Sequence, residues 1–248
     1  MDNNRTNATI YDNAGVDTNT GIESRTIKSI LYARKTNGLY SQIITGKRGI
    51  GKSSYALQVL FRIFRTLGYD VETSWNMSLE RILYKVPEVV DFLDKSSDNE
   101  FKDIFIWDDA GVFAGGVRWL TDQKEMVLIE SICDTLRDCV YGVLFTVPDQ
   151  RTLSRRIRTY DDYLVRIHQL KHDEKKYFNG DTSTLRVARL YKKTITPASQ
   201  VRIFKQYYDT YDVMLPHWVY EKYKEKRHRY TKENIRDLKR HLQKNSTK

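Results

Sequence analysis

An α/β fold is predicted for this sequence of 248 residues, with a mostly parallel sheet, helices on both faces and a small basic helical appendage at the C-terminal end. Three observations predict it. A strand, a glycine-rich turn and an apolar-periodic helix follow one another from Tyr40 to Phe64. An apolar run from Asp103 to Trp107 ends on the acid pair Asp108-Asp109, and a second buried run spans Val140 to Val147. Strands that alternate with helices make a parallel sheet, which binds ligands at the carboxyl ends of its strands.

The turn reads Gly46-Lys47-Arg48-Gly49-Ile50-Gly51-Lys52-Ser53, a complete G-x-x-x-x-G-K-[ST] phosphate loop (Walker A), with Ser41 to Thr45 as the strand before it. Its glycines let successive backbone N–H groups point at phosphate oxygens, and the helix from Gly51 adds its positive end. The nucleotide-binding residues are thus expected to be Gly46, Lys47, Arg48, Gly49, Ile50, Gly51, Lys52, Ser53 and Ser54. Lys52 would reach the β- and γ-phosphates, and Ser53 would ligate Mg²⁺.

The other elements are read in order. Residues 1 to 22 are rich in Asn, Thr, Asp and Gly and are expected as a flexible arm. A helix follows from the N-cap Ser24 to the stop at Asn37-Gly38. The helix after the phosphate loop has the stripe Tyr55, Ala56, Val59, Leu60, Ile63 and Phe64 and ends at Gly68 as its C′ residue. Val71 to Trp75 reads as a short strand and Ser78 to Val86 as a helix, which Pro87 interrupts or restarts before Val89 to Leu93. Residues 95 to 100 read as a loop.

The run Asp103 to Asp109 has the layout of a Walker B strand. Asp108 would hold Mg²⁺ together with Ser53, and Asp109 would orient the attacking water. Ala110 to Gly116 is a turn, and Thr121 to Leu136 a helix with Met126, Ile129, Ile132 and Cys133 on one side. Thr146, at the end of the next strand, stands beside these acids. It either senses the γ-phosphate or is simply a β-branched strand residue.

Arg151, Arg155, Arg156 and Arg158 follow, either reaching a phosphate or lining a basic helix face; Arg156 and Arg158 are the catalytic candidates. Asp161-Asp162 read as turn residues before a strand from Tyr163 to Leu170. Tyr177-Phe178-Asn179-Gly180 with Thr184 to Tyr191 reads as a hairpin. Ser199 to Tyr208 reads as a helix, Pro216 as the start of a second, and Thr231 as the start of a third. The expected division is therefore an arm at 1–22, an ATPase core at 23–170 and an appendage at 171–248.

Charge is unevenly placed. From Lys171 to Lys248 there are 20 Lys/Arg against 9 Asp/Glu, whereas residues 1–170 hold 22 against 23. A basic tail suits a nucleic-acid surface, since each cation set against a phosphate releases counterions; a solvated helix face that aids solubility is the other reading. Tyr and Trp among these bases would stack on single-stranded bases, although a small-domain core is the preferred reading. Cys133 and Cys139 match no metal or disulfide pattern and are read as reduced thiols; the five histidines show no ligand spacing. No apolar run is long enough for a membrane span and no secretory signal is seen, so the expected location is the cytoplasm.

With the phosphate loop, IFIWDDAGVFAGG and VLFTV in this order, the chain resembles AAA+ ATPases of the DnaA-like initiator and helicase-loader type. More narrowly, it resembles the DnaA-like ATPases encoded by viruses and plasmids of crenarchaea, whose setting would be the host cell. The resemblance covers Ser24 to Ile167. It implies a P-loop ATPase that uses ATP and Mg²⁺ and acts on DNA in replication initiation or its regulation, assembling as a homo-oligomer. Residue by residue it implies Gly46 to Ser53 for nucleotide, Asp108 for Mg²⁺, Asp109 for water activation and Thr146 as a first sensor. Two departures stand out: Tyr160 occupies the expected arginine-finger position, and a hairpin stands where a helical lid with a second sensor arginine is expected. The strand order with a β-rich continuation after Arg158 also resembles the DNA-pumping and packaging ATPases of the HerA/FtsK group. A nucleotide-gated DNA-binding regulator with little hydrolysis is the third reading. The chain lacks an N-K-x-D base-reading motif, which leans toward ATP over GTP.

Overall fold

The computed structural model describes residues 25–97, 102–112, 123–154, 157–158, 163–175, 181–195 and 201–245. The expected arm, the Ser24 cap, Arg155, Arg156, Tyr160, the Asp161-Asp162 turn and the Tyr177–Gly180 turn lie outside them. The chain forms two compact units, Met1–Met214 and Leu215–Lys248.

The first unit is an α/β P-loop fold on one sheet of seven strands in the order β2-β3-β4-β1-β5-β6-β7. These are β1 (Tyr40–Thr45), β2 (Ile82–Leu83), β3 (Asp103–Trp107), β4 (Val140–Val147), β5 (Tyr163–Gln169), β6 (Leu185–Ile195) and β7 (Val201–Asp212). The first five in this spatial order pair in parallel, and β6 and β7 add antiparallel strands at one side. Helices α1 (Arg25–Lys35), α2 (Lys52–Thr66), α3 (Val71–Glu80), α4 (Val86–Ser97) and α5 (Gln123–Cys139) fill the crossovers, and α6 (His172–Lys175) is a single turn.

β1 and β4 are buried along their whole length, as strands covered on both sides must be. Phe105, Trp107, Val143 and Phe145 pack with Val89 and Leu93 of α4 and with Cys133 and Leu136 of α5. Burial of each large side chain contributes about 1.5–3 kcal/mol. Because strand side chains alternate, Ile104, Ile106 and Leu144 point to the opposite face, and all three are fully buried. The buried stripe of α2 includes Ala56, Leu60 and Ile63, and Phe61 stacks on Trp75 of α3 with ring centroids 4.1 Å apart.

Local chemistry corrects several expected elements. Val71 to Trp75 is the start of a helix, because Asp70 caps it: its carboxylate accepts from the Thr73 N–H at 2.9 Å and the Thr73 hydroxyl at 2.6 Å. The expected helix from Ser78 to Val86 is divided, with α3 ending at Glu80 and Ile82–Leu83 pairing with β3 as β2. Pro87 stands in the first turn of α4, so it restarts the chain there, and the Glu88 carboxylate caps that turn by accepting from the Tyr84 N–H at 2.7 Å. Gly68 takes the C′ role expected of it, at φ 95° with its N–H bonded to the Arg65 carbonyl.

Further along, the described part of the helix expected over Ser199 to Tyr208, from Val201 onward, is not helical. It forms most of β7, paired over its length with β6, so those strands extend the sheet beyond residue 170. Tertiary pairing overrides a helical reading of Val201, Phe204 and Tyr208, whose spacing also fits a strand rich in β-branched and aromatic residues. A bulge at Gln206 interrupts that pairing: Leu190 pairs with Tyr207 and Tyr191 with Lys205.

The second unit is dominated by one helix, α7 (His217–Asn245). The expected break at Thr231 does not occur. Its hydroxyl donates to the Arg227 carbonyl one turn back at 3.0 Å, so the residue continues the helix instead of capping a new one. No helix among the described residues is long and apolar enough to cross a membrane.

Candidate functional site

The site begins at the carboxyl end of β1, where the chain leaves the sheet into the phosphate loop. Gly46 has φ 153°, and a Cβ there would lie 2.9 Å from both the Ile167 carbonyl oxygen and Ile50 Cγ2. Gly51 has φ 103° and is the N-cap of α2, where a Cβ would come within 2.5 Å of Val213 Cγ1. Only glycine satisfies both the backbone angle and the space at these two positions. No side-chain cap closes the helix start, and its first bond runs from the Tyr55 N–H to the Gly51 carbonyl at 2.9 Å. The N–H groups of Lys52, Ser53 and Ser54 precede that bond and form the donor end to which an anion is drawn. Lys47, Arg48 and Gly49 are exposed at the crest of the loop, and Ile50 is buried beneath it.

Lys52 is buried, and its ammonium donates to the carbonyls of Gly46 and Lys47, each at 3.0 Å. Its charge is thereby held inside the curve of the loop.

Sheet order brings the remaining groups together. β4 lies between β1 and β3, with Ile44 opposite Thr146 and Trp107 opposite Phe145. Asp108 follows Trp107 directly, so it leaves the sheet beside Thr146, while α2 brings Ser53 in from the other side. Ser53 Oγ donates to Asp108 Oδ1 at 2.7 Å, and Thr146 Oγ1 donates to the same oxygen at 2.5 Å. Asp108 is fully buried, and its own N–H donates to the Leu83 carbonyl at 2.8 Å. An unpaired carboxylate at such a depth would cost several kcal/mol, which the hydroxyl donors offset. Asp109 adopts φ 53°, and its N–H donates to Thr146 Oγ1 at 3.0 Å. Thr146 thus fixes both acids, donating to one and accepting from the next.

The donor set is made of hard oxygens. Among the described residues there is no cluster of three or more His, Cys, Asp or Glu able to hold a metal. The hydroxyl of Ser53 and the carboxylate of Asp108 are the kind of oxygens that could hold Mg²⁺, which binds through one or two protein oxygens and keeps its other positions for phosphate and water.

Of the two candidate arginines, Arg156 lies outside the described residues. Arg158 packs into the fold: its N–H donates to the Ser154 carbonyl, its own carbonyl accepts from Lys193 Nζ at 3.0 Å, and its Nε is buried without a hydrogen-bond partner.

Sequence reasoning missed the contribution of β7. The Tyr211 hydroxyl donates to the Gly51 carbonyl at 3.0 Å, and Val213 closes against the Gly51 Cα. On the next turns of α2, Tyr55 donates to Asp209 Oδ2 at 3.1 Å and Gln58 Nε2 to the Asp212 carbonyl at 2.6 Å. Burial pushes the phenol pKa of both Tyr55 and Tyr211 upward, so both act as neutral donors. The alternation Tyr207, Asp209, Tyr211, Val213 is the strand signal that could have revealed this contact.

No protein-family profile matches the chain. It is 29% identical over 211 residues to protein B-251 of Sulfolobus spindle-shape virus 1, which covers 84% of this chain and 82% of that protein. It is 25% identical over 128 residues to ORF286 of Acidianus two-tailed virus, covering 50% and 42% of the two. Among solved structures, it is similar to B204, the DNA-packaging ATPase from Sulfolobus Turreted Icosahedral Virus, with 10% identity and a TM-score of 0.40 over 68% of this chain and 98% of that one. The N-terminal domain of zonular occludens toxin from Neisseria meningitidis has 14% identity and a TM-score of 0.42, over 74% and 97%.

Proposed function

We propose that this chain is a Mg²⁺-dependent ATPase that acts on DNA. The observation that carries the reading is the convergence of Ser53 and Thr146 on one oxygen of the buried Asp108 at the mouth of the phosphate loop. The loop N–H groups and Lys52 would bind the phosphates, with Lys52 exchanging its bonds to the loop carbonyls for phosphate oxygens. Ser53 and Asp108 would hold Mg²⁺, which neutralises charge on the β- and γ-phosphates when bound. Asp109 would orient a water for in-line attack on the γ-phosphate, from a position set by the bond between its N–H and Thr146. Arg158 is kept as a candidate for stabilising transition-state charge.

DNA enters through charge, in the excess of Lys and Arg beyond residue 170. Two kinds of DNA-acting ATPase remain, an initiator in replication or its regulation and a translocating or packaging motor. The course of the chain after β5 favours the motor. An initiator is expected to place a helical lid there, whereas this chain runs through β6 and β7, which pair onto the sheet.

Steady-state phosphate release from ATP and Mg²⁺, with and without DNA, tests the reading. The expected result is turnover that rises with DNA and is lost in Lys52→Ala. Stimulation that grows with duplex length would mark a motor, and a ring formed on one preferred sequence would mark an initiator. ATP binding with no phosphate release under any condition would replace the enzyme by a nucleotide-gated DNA-binding regulator.

A further inference from the structure

β7 is the outermost strand of the sheet, and part of it has no layer over either side. Arg202, Ile203, Phe204, Lys205 and Gln206 are all exposed. Successive strand residues leave opposite faces, so five exposed residues in a row leave both sides of β7 open there; on β6, Lys192 and Thr194 are exposed on one face, while Lys193 on the other is buried. Phe204 is 50% exposed and Ile203 43%, which would make an uncovered edge prone to pairing with other chains. The bases around them decide which occupant fits. From Leu185 to Tyr208 there are six Lys/Arg and no Asp or Glu. A second copy would bring the same positive charge against this edge and be repelled, whereas a polyanion is attracted along its length.

The shape narrows the choice further. A two-stranded ribbon fits the major groove of duplex DNA, with bases on the phosphates and apolar side chains against base edges. In the register of the ribbon, Arg202 lies opposite Thr194 and Phe204 opposite Lys192, so Lys192, Arg202 and Phe204 share one face, with Ile203 and Lys205 on the other.

We propose that the open end of the β6–β7 ribbon is a binding surface for duplex DNA, entered by the face that carries Lys192, Arg202 and Phe204, with Lys192 and Arg202 on phosphates and Phe204 in the groove. This rests on the DNA-acting reading above and names the surface it needs. The same strand ends at the phosphate loop, where Tyr211 holds the Gly51 carbonyl. DNA at one end of β7 is therefore linked to the nucleotide site at the other by a single paired strand.

The test is fluorescence anisotropy of a labelled mixed-sequence duplex over a salt series, comparing the full chain with Lys192→Ala/Arg202→Ala. Binding is expected to weaken roughly tenfold, with the slope of log K against log salt shallower by about 1.8, as two lost phosphate contacts require. Phosphate release without DNA is expected to stay at the wild-type rate, which separates a lost contact from a misfolded chain. Unchanged affinity and slope would overturn the inference and leave the DNA-acting reading standing. A slope reduced only by Lys222→Ala/Lys224→Ala would overturn it in favour of α7. A loss confined to single-stranded DNA would overturn the assignment to duplex. A wild-type chain that binds no DNA would overturn both.

Discussion

The two sides of the sheet are built by different means, and the difference explains what each can do. On one side, β1, β3 and β4 are parallel strands covered on both faces, and their carboxyl ends deliver the phosphate loop, Asp108 and Thr146 to one place. On the other, β6 and β7 form a long antiparallel ribbon that is exposed at one end and packed on the phosphate loop at the other. The first side is rigid where charge must be placed accurately. The second has a free surface and a fixed root, which is the form that a partner-sensing element requires.

The largest expected effect belongs to the parallel side. Asp108→Asn keeps the size of the side chain and an oxygen acceptor for Ser53 and Thr146, but removes the charge that would attract Mg²⁺. ATP turnover is expected to fall roughly 10²–10³-fold, the scale seen when one preorganised electrostatic group is lost. Phosphate release titrated with Mg²⁺ checks this. A rate restored in full by excess Mg²⁺ would restrict Asp108 to metal affinity, and an unchanged rate would remove it from the site.

The contact between the two sides is broken next. Gly51→Ala combines φ 103° with a Cβ placed 2.5 Å from Val213 Cγ1. It is expected to lower stability by roughly 2–4 kcal/mol in urea unfolding. Gly49→Ala serves as the comparison, since φ there is 74° but nothing lies within 4 Å of a built Cβ. Its cost is expected to be about 1 kcal/mol, from the backbone angle alone. Adding Val213→Ala to Gly51→Ala removes the shortest contact, leaving the Tyr211 hydroxyl at 3.2 Å and Val213 Cβ at 3.3 Å, and is expected to bring the costs at the two glycine sites closer together. Equal costs for Gly51→Ala and Gly49→Ala would mean that β7 does not brace the loop in solution.

The same two regions show what could be read from the sequence. The phosphate site is specified by short-range signals: glycines at fixed spacing, a lysine and serine on the helix that follows, and an apolar run ending in acids. Each is complete within about ten residues, and the Ser53, Asp108 and Thr146 they single out are joined by hydrogen bonds at one carboxylate oxygen. β7 depends on a partner strand instead. Its residues Val201, Phe204 and Tyr208 satisfy a helical spacing as well as a strand, and only pairing with β6 decides between them. Val71 to Trp75 failed in the reverse sense, since the capping carboxylate of Asp70 outweighed the β-branched residues after it. Nor does any motif record that Tyr211 reaches a carbonyl 160 residues away.

Tyr211→Phe isolates that reach. The ring and its packing on Tyr55 remain, while the hydroxyl that donates to the Gly51 carbonyl is removed. A loss of about 1 kcal/mol is expected in urea unfolding, the usual net value of one hydrogen bond. If the ribbon and the phosphate loop are coupled through this bond, DNA stimulation of phosphate release should also weaken while DNA affinity is kept. Loss of stability with stimulation intact would make the bond structural only.

The smallest expected effect lies just past the end of β4, at Asp149. Its carboxylate accepts from the Arg151 N–H at 2.9 Å and from Arg151 Nε at 2.8 Å, and caps the single 3₁₀ turn Gln150–Thr152. The Arg151 side chain holds its pKa below the usual carboxylate value, and the Arg151 N–H adds to this. A carboxylate whose pKa is lowered by folding stabilises the fold above its unfolded value, near 3.9, and that contribution is lost as pH falls through the folded value. Both partners are exposed, so solvent and salt screen the attraction. Asp149→Asn is thus expected to lower the melting temperature by about 1 °C or less at pH 7. Wild type and variant should converge once the carboxyl is protonated, because a neutral acid and an amide then offer the turn the same acceptor. A difference that persisted once pH had fallen through the lowered folded value would assign the effect to shape or packing instead of charge.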